Sequence, residues 1–379
     1  MEKYKIAELY GGGFTNKGAE LMVDACCQKI DSWSDDWRLA MDWTVGSYEE
    51  RSQRSLWNKV DFRRFKSKSH LPAEFIPSKI KKRLGIVSRD EIDIVLDISG
   101  FGYSDQWGVE FAKIMADRSI VRSQKGERYI LLPQAYGPFK NNKLADVAKS
   151  YFDRSEVLYV RDKVSLEYMQ KLMGADERLR LFPDFTCLVK GYENVSPTKR
   201  EYMCVVPNCR MIDPRHGKQG SEYLGSLIHA IEFAFKKGVQ PIIINHEGVQ
   251  DLEIVKELKK KSKCEVVVIN GGSSRYLKAI FKNALFVLGS RFHALISSLT
   301  QGVPCIGMGW SHKYEELFSD FGIKEYLVEV KGDGVLRCVD SLLDVKCRER
   351  VIEHINKGVI HYNEKAETMW SEIQTLMLR

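Results

Sequence analysis

The sequence lacks several features that would assign the protein to a specialised class. No apolar run approaches the roughly 18 residues that span a bilayer, and the opening MEKYKIAELY has no apolar core of a signal peptide. The nine cysteines show no C-x-x-C spacing, which argues against a disulfide framework and a structural zinc site. We therefore expect a cytoplasmic protein with reduced thiols and no bound metal.

The charge is also nearly balanced, with 58 basic and 51 acidic residues among 379. Because nucleic-acid-binding proteins tend to concentrate positive charge on one face, this balance predicts no nucleic-acid partner. One basic segment stands out at residues 61–84, DFRRFKSKSHLPAEFIPSKIKKRL. It predicts either a solvated loop or hairpin, or a peripheral contact with anionic lipid head groups at the inner face of the membrane.

Short apolar runs alternate with amphipathic segments, which is typical of α/β proteins with parallel sheets. The polar segment Gly191–Arg200 divides the chain into two domains, 1–195 and 196–379. Segment Arg348–Arg379 predicts one or two helices that cross back onto the first lobe. The predicted strands are Lys5–Tyr10, Ile92–Ile98, Tyr129–Pro133, Val157–Val160, Tyr202–Val206, Pro241–Asn245, Glu265–Ile269, Leu285–Leu288 and Cys305–Met308.

Polar, glycine-containing loops follow three strands of the first domain. Open α/β sheets bind ligands at the carboxyl ends of their strands, so these loops indicate a cleft for a polyhydroxylated ligand such as a sugar. A tight turn that contacts no ligand is the alternative for the first loop. The candidate residues are Gly12, Gly13 and Asn16, then Gly100, Gly102 and Asp105, then Gln134 and Tyr136.

Charged residues follow two further predicted strands, in YVRDK and LFPDF. Arg161 and Asp184 are candidates for contact with a sugar. The structural alternative is that Asp162 caps the next helix and that Arg161 pairs with Asp162 or with an acid at the domain interface.

The most informative block is GSRFHALISSLTQGVPCIGMGWSHKYEEL, residues 289–317. Arg291 stands at the start of a predicted helix, where the helix dipole disfavours a cation unless an anion is present. This indicates an anion site, at which His293 can exchange a proton near neutral pH. A buried histidine with a purely structural role is the alternative. Arg210 and His246, at other strand ends, are expected at the same site.

Together these segments resemble the polysaccharide pyruvyl transferase family. The resemblance runs from about Ile6 to Phe321 and is carried by NKGAE, ISGFGYSD, PQAYGP, YVRDKVSLEYM, LFPDF and the 289–317 block. It implies a GT-B-like fold with two Rossmann-like lobes facing across a cleft, an acceptor-binding lobe 1–195 and a donor-binding lobe 196–379. It departs from several members at Lys17-Gly18 and at Phe101, on the acceptor side.

The resemblance further implies transfer of pyruvate from phosphoenolpyruvate to two hydroxyls of a sugar in a capsular, exopolysaccharide or cell-wall precursor. The products are a pyruvate ketal and phosphate. The acceptor is a sugar or a lipid-linked oligosaccharide, phosphoenolpyruvate is a co-substrate, no cofactor is expected and the need for a divalent ion stays open. The implied donor contacts are Arg210, His246, Gly289, Ser290, Arg291 and Phe292.

His293 and Lys313 are the implied catalytic residues, with exchangeable roles as general acid and as the group that assists phosphate departure. Two other functions stay open at this point. One is a GT-B glycosyltransferase that uses a nucleotide sugar. The other is a glycan-binding protein without catalysis.

Overall fold

The computed structural model describes residues 4–33, 36–60, 76–213, 220–309 and 312–379. They form two compact units. Unit 1 comprises Met1–Phe14, Met22–Phe185 and Ala366–Arg379, and unit 2 comprises Thr15–Leu21 and Thr186–Lys365.

The predicted division at residue 195 differs from these units in three segments. Residues 186–195 belong to unit 2, because the Lys278 Nζ donates to the carbonyl oxygens of Thr186 and Cys187 (3.2 Å each), and the Asn283 Nδ2 donates to Val195 O (2.9 Å). Residues 15–21 also belong to unit 2. Residues 366–379 contribute to unit 1, as expected for a tail that returns to the first lobe.

The sheet of unit 1 has eight parallel strands among the described residues, in the order β4-β3-β2-β1-β5-β6-β7-β8. Four of them were not predicted, because β2, β3, β4 and β8 are short or carry charged residues within the strand. The bounds are β1 Lys5–Tyr10, β2 Trp37–Asp42, β3 Trp57–Val60, β4 Ile86–Ser88, β5 Ile94–Asp97, β6 Arg128–Gln134, β7 Val157–Val160 and β8 Leu179–Leu181.

The helices of unit 1 begin with side-chain caps in two cases that matter for the loops. Asn141 caps α5 by accepting from the amides of Lys143 (3.0 Å) and Leu144 (3.3 Å), and Asp162 caps α6 by accepting from the Ser165 amide (2.7 Å). The bounds are α1 Lys17–Asp31, whose first residues lie in unit 2, α2 Tyr48–Ser52, α3 Ser78–Leu84, α4 Gly108–Arg122, α5 Asn142–Phe152 and α6 Lys163–Met173.

Unit 2 has five parallel strands among the described residues, in the order β11-β10-β9-β12-β13. They are β9 Tyr202–Val206, β10 Gln240–Asn245, β11 Val267–Asn270, β12 Val287–Gly289 and β13 Cys305–Gly307. The helices are α7 Gly220–Lys236, α8 Gly248–Lys261, α9 Ser274–Lys282, α10 Phe292–Leu299, α11 His312–Asp320, α12 Gly334–Leu343 and α13 Val345–Leu378, the last residues of which lie in unit 1.

Each sheet has a switch point where the chain changes the direction in which it adds strands. It lies between β1 and β5 in unit 1 and between β9 and β12 in unit 2. Ligands of open α/β sheets bind beside the carboxyl ends of the strands at such points. The predicted α/β class with two Rossmann-like lobes is confirmed, and the strand order directs attention to the loops after these four strands.

The structure bears in part on two predictions about membranes, the absence of a membrane-spanning helix and a membrane contact through residues 61–84. Among the described residues, no helix combines the length and apolarity needed to cross a bilayer. Of the basic segment 61–84, residues 61–75 lie outside the described residues, and the rest includes helix α3.

Candidate functional site

The turn between β12 and α10 is fixed by buried hydrogen bonds. The Ser290 hydroxyl accepts from the Tyr223 hydroxyl (3.1 Å), and Ser290 O accepts from the Tyr314 hydroxyl and the Asn208 Nδ2 (2.9 Å each). Ser290 is fully buried, and a Cβ at Gly289 would lie 3.4 Å from Val206. Both predicted donor contacts therefore shape the turn that carries the residues after it.

Arg291 is held by carboxylates of the protein. Its Nε and Nη2 donate to the two oxygens of Asp251 (2.8 and 2.5 Å), its Nη1 donates to Glu247, and Nη2 also reaches the Cys209 Sγ (3.6 Å). Four of its five N–H groups are thus used, and the anion predicted at this helix start is supplied by Asp251, which is fully buried. The prediction that Arg291 chiefly binds an anionic ligand is therefore corrected. The guanidinium chiefly holds the start of α10 in place through Asp251 and Glu247.

Glu247 and Asp251 were not predicted from the sequence. They follow β10, at the position before α8 and in its first turn, and residues four apart lie on the same side of a helix. That spacing, directly after the candidate residue His246, was the available signal. Cys209 also touches Arg291, but burial raises the pKa of its thiol and Asp251 raises it further, so the thiol stays protonated at neutral pH.

The segment Asn16–Gly18 belongs to this site. The Asn16 Nδ2 donates to the Glu247 Oε1 (2.9 Å), and the Lys17 amide donates to His246 O (3.3 Å). The Asn16 Oδ1 accepts from the Gly18 amide (2.8 Å) and so caps α1. Asn16, predicted to bind the acceptor with the first lobe, lies in unit 2, because these bonds attach it to the loop after β10.

His246 is buried, and its Nδ1 makes no hydrogen bond within the described part of the chain. Burial lowers the pKa of His246 well below its ordinary value of 6.5, and the positive charges of Arg291, His293 and Lys17 lower it further. The imidazole is therefore neutral at pH 7. A neutral ring accepts a hydrogen bond or a proton but adds no charge to bind an anion.

We expect His246 to make the protein less stable in acid. The unfolded state binds a proton below about pH 6.5 and the folded state does not, so the stability is complete above that pH and falls below it. The free energy of unfolding then falls with decreasing pH by up to about 1.4 kcal/mol per pH unit. Urea unfolding between pH 7.5 and 5.5 checks this; a His246→Gln variant with the same slope as the wild type would contradict it.

His293 and Lys313 lie around the ring of Phe292. The His293 and Phe292 rings meet edge to face at 5.6 Å, and the Lys313 Nζ lies 5.5 Å from the centre of the Phe292 ring and 5.4 Å from that of Tyr314. The two predicted catalytic residues start helices after the adjacent strands β12 and β13. The structure thus brings them together at one edge of unit 2.

Gly18 is the close neighbour of His293. A Cβ at Gly18 would lie 2.2 Å from the His293 Nδ1, which real contacts never reach, so the imidazole must move if Gly18 is replaced. We expect Gly18→Ala to lower kcat by about 10²-fold, the usual cost of misplacing a reacting group by about 1 Å, with little loss of stability. Gly225→Ala in α7 is the control, since its Cβ meets nothing within 4 Å. Unchanged turnover in Gly18→Ala would contradict the arrangement.

Arg210 lies in the short turn after β9, where its amide donates to the Asn208 Oδ1 (3.0 Å). Its guanidinium is partly exposed and forms no hydrogen bond or ion pair with other described residues. Arg210 is therefore the predicted donor contact best able to meet an anionic ligand. Among the described residues, no group of three His, Cys, Asp or Glu side chains is arranged to hold a metal ion.

The other predicted acceptor residues lie in unit 1, most of them at one edge of the sheet. Because all its strands are parallel, the loops after β1, β5, β6, β7 and β8 share that edge. Gly11 has φ +83°, and a Cβ there would lie 2.2 Å from the Ser99 Oγ, so the loops at the switch point approach closely. The residues at this edge are Gly12, Gly13, Gly100, Gly102, Gln134, Arg161 and Asp184.

Several of these side chains already have structural partners. The Asp105 carboxylate accepts from the amides of Lys140 (2.9 Å) and Asn141 (3.1 Å). Arg161 and Asp184 form a buried ion pair (3.0 Å), which agrees with the structural alternative for Arg161. Tyr136 is 1% exposed and stacks on Tyr103 at 6.3 Å, which assigns its ring to the core and corrects its prediction as a sugar contact.

Asp97, at the end of β5, was not predicted from the sequence. Its buried carboxylate accepts from the Ser99 hydroxyl (2.6 Å), the Tyr151 hydroxyl (3.2 Å) and the Tyr103 hydroxyl. Burial raises the pKa of Asp97, against the lowering effect of these bonds. Asp97 therefore shapes the loop that carries Gly100 and Gly102.

The two parallel sheets define an α/β protein with two Rossmann-like lobes, of the GT-B fold class. Solved structures with a similar fold support this assignment. The putative UDP-N-acetylglucosamine 2-epimerase of Listeria monocytogenes is similar with a TM-score of 0.65 and 9% identity, over 99% of this chain and 97% of that one. A UDP-glucosyltransferase of Polygonum tinctorium is similar with a TM-score of 0.53 and 10% identity, over 99% of both chains. At such identities the likeness concerns the fold alone.

The chain belongs to the polysaccharide pyruvyl transferase family, whose family model matches residues 29–312. It is 20% identical over 279 residues to the amylovoran biosynthesis protein AmsJ of Erwinia amylovora. The matched stretch covers 67% of this chain and 66% of AmsJ, a little under two thirds of that protein. The predicted family is confirmed.

Proposed function

We propose that the protein transfers pyruvate from phosphoenolpyruvate to two hydroxyls of a sugar in a polysaccharide precursor. The observation that carries the proposal is the grouping of His293 and Lys313 around Phe292 in a member of this family. A general acid and a cation close together are what the reaction of an anionic enol phosphate requires. The similarity to an amylovoran biosynthesis protein supports a polysaccharide precursor as the acceptor.

The donor carries a phosphate and a carboxylate, and its proposed contacts are the cations of unit 2. Arg210 meets one anionic group with its forked guanidinium, and Lys313 meets the other as a compact charge. Arg291 keeps the start of α10 in place through Asp251 and offers one remaining N–H. His246, neutral and buried beside Arg291, contributes a hydrogen bond and no charge.

The proposed reaction needs one proton donor and one proton acceptor. The acid, His293 or Lys313, protonates the methylene carbon of phosphoenolpyruvate, which becomes a methyl group and leaves a cationic centre at C2. The first sugar hydroxyl adds there, and its proton restores the acid. The C2–O bond to phosphate then breaks, the second hydroxyl adds to C2, and its proton leaves with phosphate. The products are the cyclic ketal and inorganic phosphate.

Acceptor binding is proposed for the switch-point loops of unit 1. Gly12 and Gly13 are half-buried, so their backbone groups can meet hydroxyls, which both donate and accept hydrogen bonds. Gly100 and Gly102 are buried, so their part is to shape the loop after β5. The buried pair Arg161–Asp184 supports the neighbouring loops. A lipid-linked acceptor and a membrane contact through residues 61–84 stay predictions.

The test is phosphate release from phosphoenolpyruvate by the whole protein with a panel of acceptor glycans, and nucleotide sugars as the control. We expect phosphate release that depends on both the glycan and phosphoenolpyruvate. Release of nucleotide from a nucleotide sugar would instead support the glycosyltransferase. Glycan binding with neither release would support the non-catalytic protein.

A further inference from the structure

Unit 1 contains a cavity of about 810 Å³, and of the residues that line it only Gly12 has a part in the proposed transfer reaction. It lies beside the end of β1, and its lining also includes residues of β2, of β3, of one side of α4 and of the loops after β2 and β4. We call it the β1–α4 cavity. Gly11 and Gly12, at the switch point, lie at its rim. Its volume falls within the range of roughly 300–1,000 Å³ found for small-ligand sites.

The floor of the β1–α4 cavity consists of charged groups buried in the middle of a sheet. Glu8, on the central strand β1, pairs with Lys59 and with the Arg118 Nη1 (2.7 Å), and the Arg118 Nε donates to Glu127 (2.7 Å). Glu8, Lys59 and Arg118 are 1%, 7% and 5% exposed. Burial would raise the pKa of Glu8, but the charges of Arg118 and Lys59 outweigh it and keep the carboxylate ionised.

Stability alone does not account for this network. Buried ion pairs rarely stabilise a protein more than apolar side chains of the same size, because each charge loses its hydration. The Arg118 Nη2 is also buried and makes no hydrogen bond within the described residues, and Arg118 is one of the residues that line the cavity. An unsatisfied buried donor costs about 1–3 kcal/mol. A ligand that accepts a hydrogen bond would remove that cost.

The lining favours a neutral, hydroxyl-rich ligand over an anion. It combines five basic and four acidic side chains, and the buried cations Lys59, Arg118 and Arg122 already face carboxylates, so little net positive charge remains. Hydroxyls suit such mixed donors and acceptors. One wall is apolar, with the rings of Tyr10 and Phe111 at 6.4 Å and the exposed side chain of Ile114, and can cover the C–H face of a sugar ring.

We propose that the β1–α4 cavity binds neutral sugar residues of the acceptor, next to the residue that receives pyruvate. The choice of a saccharide rests on the proposed function. The cavity would then recognise the glycan chain, while the switch-point loops present the reacting hydroxyls. Selectivity for the acceptor would lie largely in unit 1.

Two isoleucines of α4 provide a matched pair for the test. Ile114 and Ile120 are 48% and 42% exposed, but only Ile114 lines the cavity. The whole protein, without phosphoenolpyruvate, is applied to a printed array of neutral di- to tetrasaccharides of glucose, galactose and mannose. We expect Ile114→Trp to weaken the binding of a glycan that the wild type retains by about tenfold or more, and Ile120→Trp to leave it unchanged.

A second variant addresses the floor of the cavity. Arg118→Lys keeps the charge but removes the forked donor, and we expect the same glycan to bind more weakly while circular dichroism stays that of the wild type. Equal binding by the wild type, Ile114→Trp and Arg118→Lys would overturn the proposal. So would the absence of binding to every glycan of the array.

The same variants separate this proposal from the transfer reaction. In the phosphate-release assay, Ile114→Trp is expected to raise the acceptor KM and leave the KM for phosphoenolpyruvate unchanged. If phosphate is released and the acceptor KM is the same in Ile114→Trp and Ile120→Trp, the proposed glycan-binding role of the cavity is overturned, but the transfer reaction is still supported. If Ile114→Trp abolishes glycan binding but the wild type releases no phosphate, the proposal for the cavity stands and the transfer reaction is overturned.

Discussion

Replacing His293 with alanine is expected to lower kcat for phosphate release from phosphoenolpyruvate by about 10²–10⁴-fold, the usual contribution of a positioned acid or base. The imidazole lies against Phe292 and close to Gly18, at the edge of unit 2 that also carries Lys313. The expected loss takes His293 as the acid and Lys313 as the group that assists phosphate departure. Steady-state release of phosphate, with acceptor and phosphoenolpyruvate saturating, is the measurement.

His354→Ala is the matched control, because His354 is an exposed histidine of α13 in the same unit. Its turnover should equal that of the wild type. Near-normal turnover in His293→Ala would instead refute the catalytic assignment and favour a structural histidine. Lys313→Met separates the two roles: if Lys313 only assists phosphate departure, the variant keeps the dependence of kcat on pH near neutrality that a histidine acid produces.

Replacing Arg291 with methionine is expected to lower the free energy of unfolding by about 3–5 kcal/mol, as when one partner of a buried ion pair is removed. The Asp251 carboxylate is fully buried and would lose both bonds from the guanidinium, while it keeps the bond from the Cys209 amide (2.9 Å). Glu247 would lose its bond as well. Urea unfolding at pH 7 measures the loss.

Two further variants show whether the cause is the uncompensated carboxylate. Asp251→Asn in the Arg291→Met background should restore part of the stability, because the buried charge is then gone. Arg337→Met, which breaks the exposed pair Arg337–Asp333 (3.2 Å), should cost less than about 1 kcal/mol. A loss in Arg291→Met as small as in Arg337→Met would show that Asp251 is not held by this pair.

Strands whose apolar runs are continuous, such as β7 and β9, were predicted with the bounds that the structure shows. Strands β2 and β3 were not predicted, because their sequences, WRLAMD and WNKV, carry charged residues within the strand. Lys59 in β3 is buried against Glu8 of β1, and a pairing over 51 positions leaves no local pattern. The first sheet is therefore twice as wide as predicted.

Prediction of the candidate site from the sequence was limited in the same way, by contacts between distant positions. His293 and Lys313 were found because both follow strands within one block of the sequence, where spacing is informative. The carboxylates that hold Arg291 lie 40 and 44 positions away, on the helix after another strand. The attachment of Asn16 to Glu247 spans 231 positions, so the unit to which Asn16 belongs was decided by tertiary contacts.

The amino-acid sequence by itself determined the α/β class, the two Rossmann-like lobes, the family and the block that carries Arg291, His293 and Lys313, because these depend on local periodicity and short motifs. Only the tertiary structure decided that Arg291 is held by Asp251 and Glu247, that Gly18 lies against His293, and that Glu8 and Arg118 form the floor of a cavity. The physical reason is that charge pairing and close approach act through space, between segments that the chain order keeps far apart.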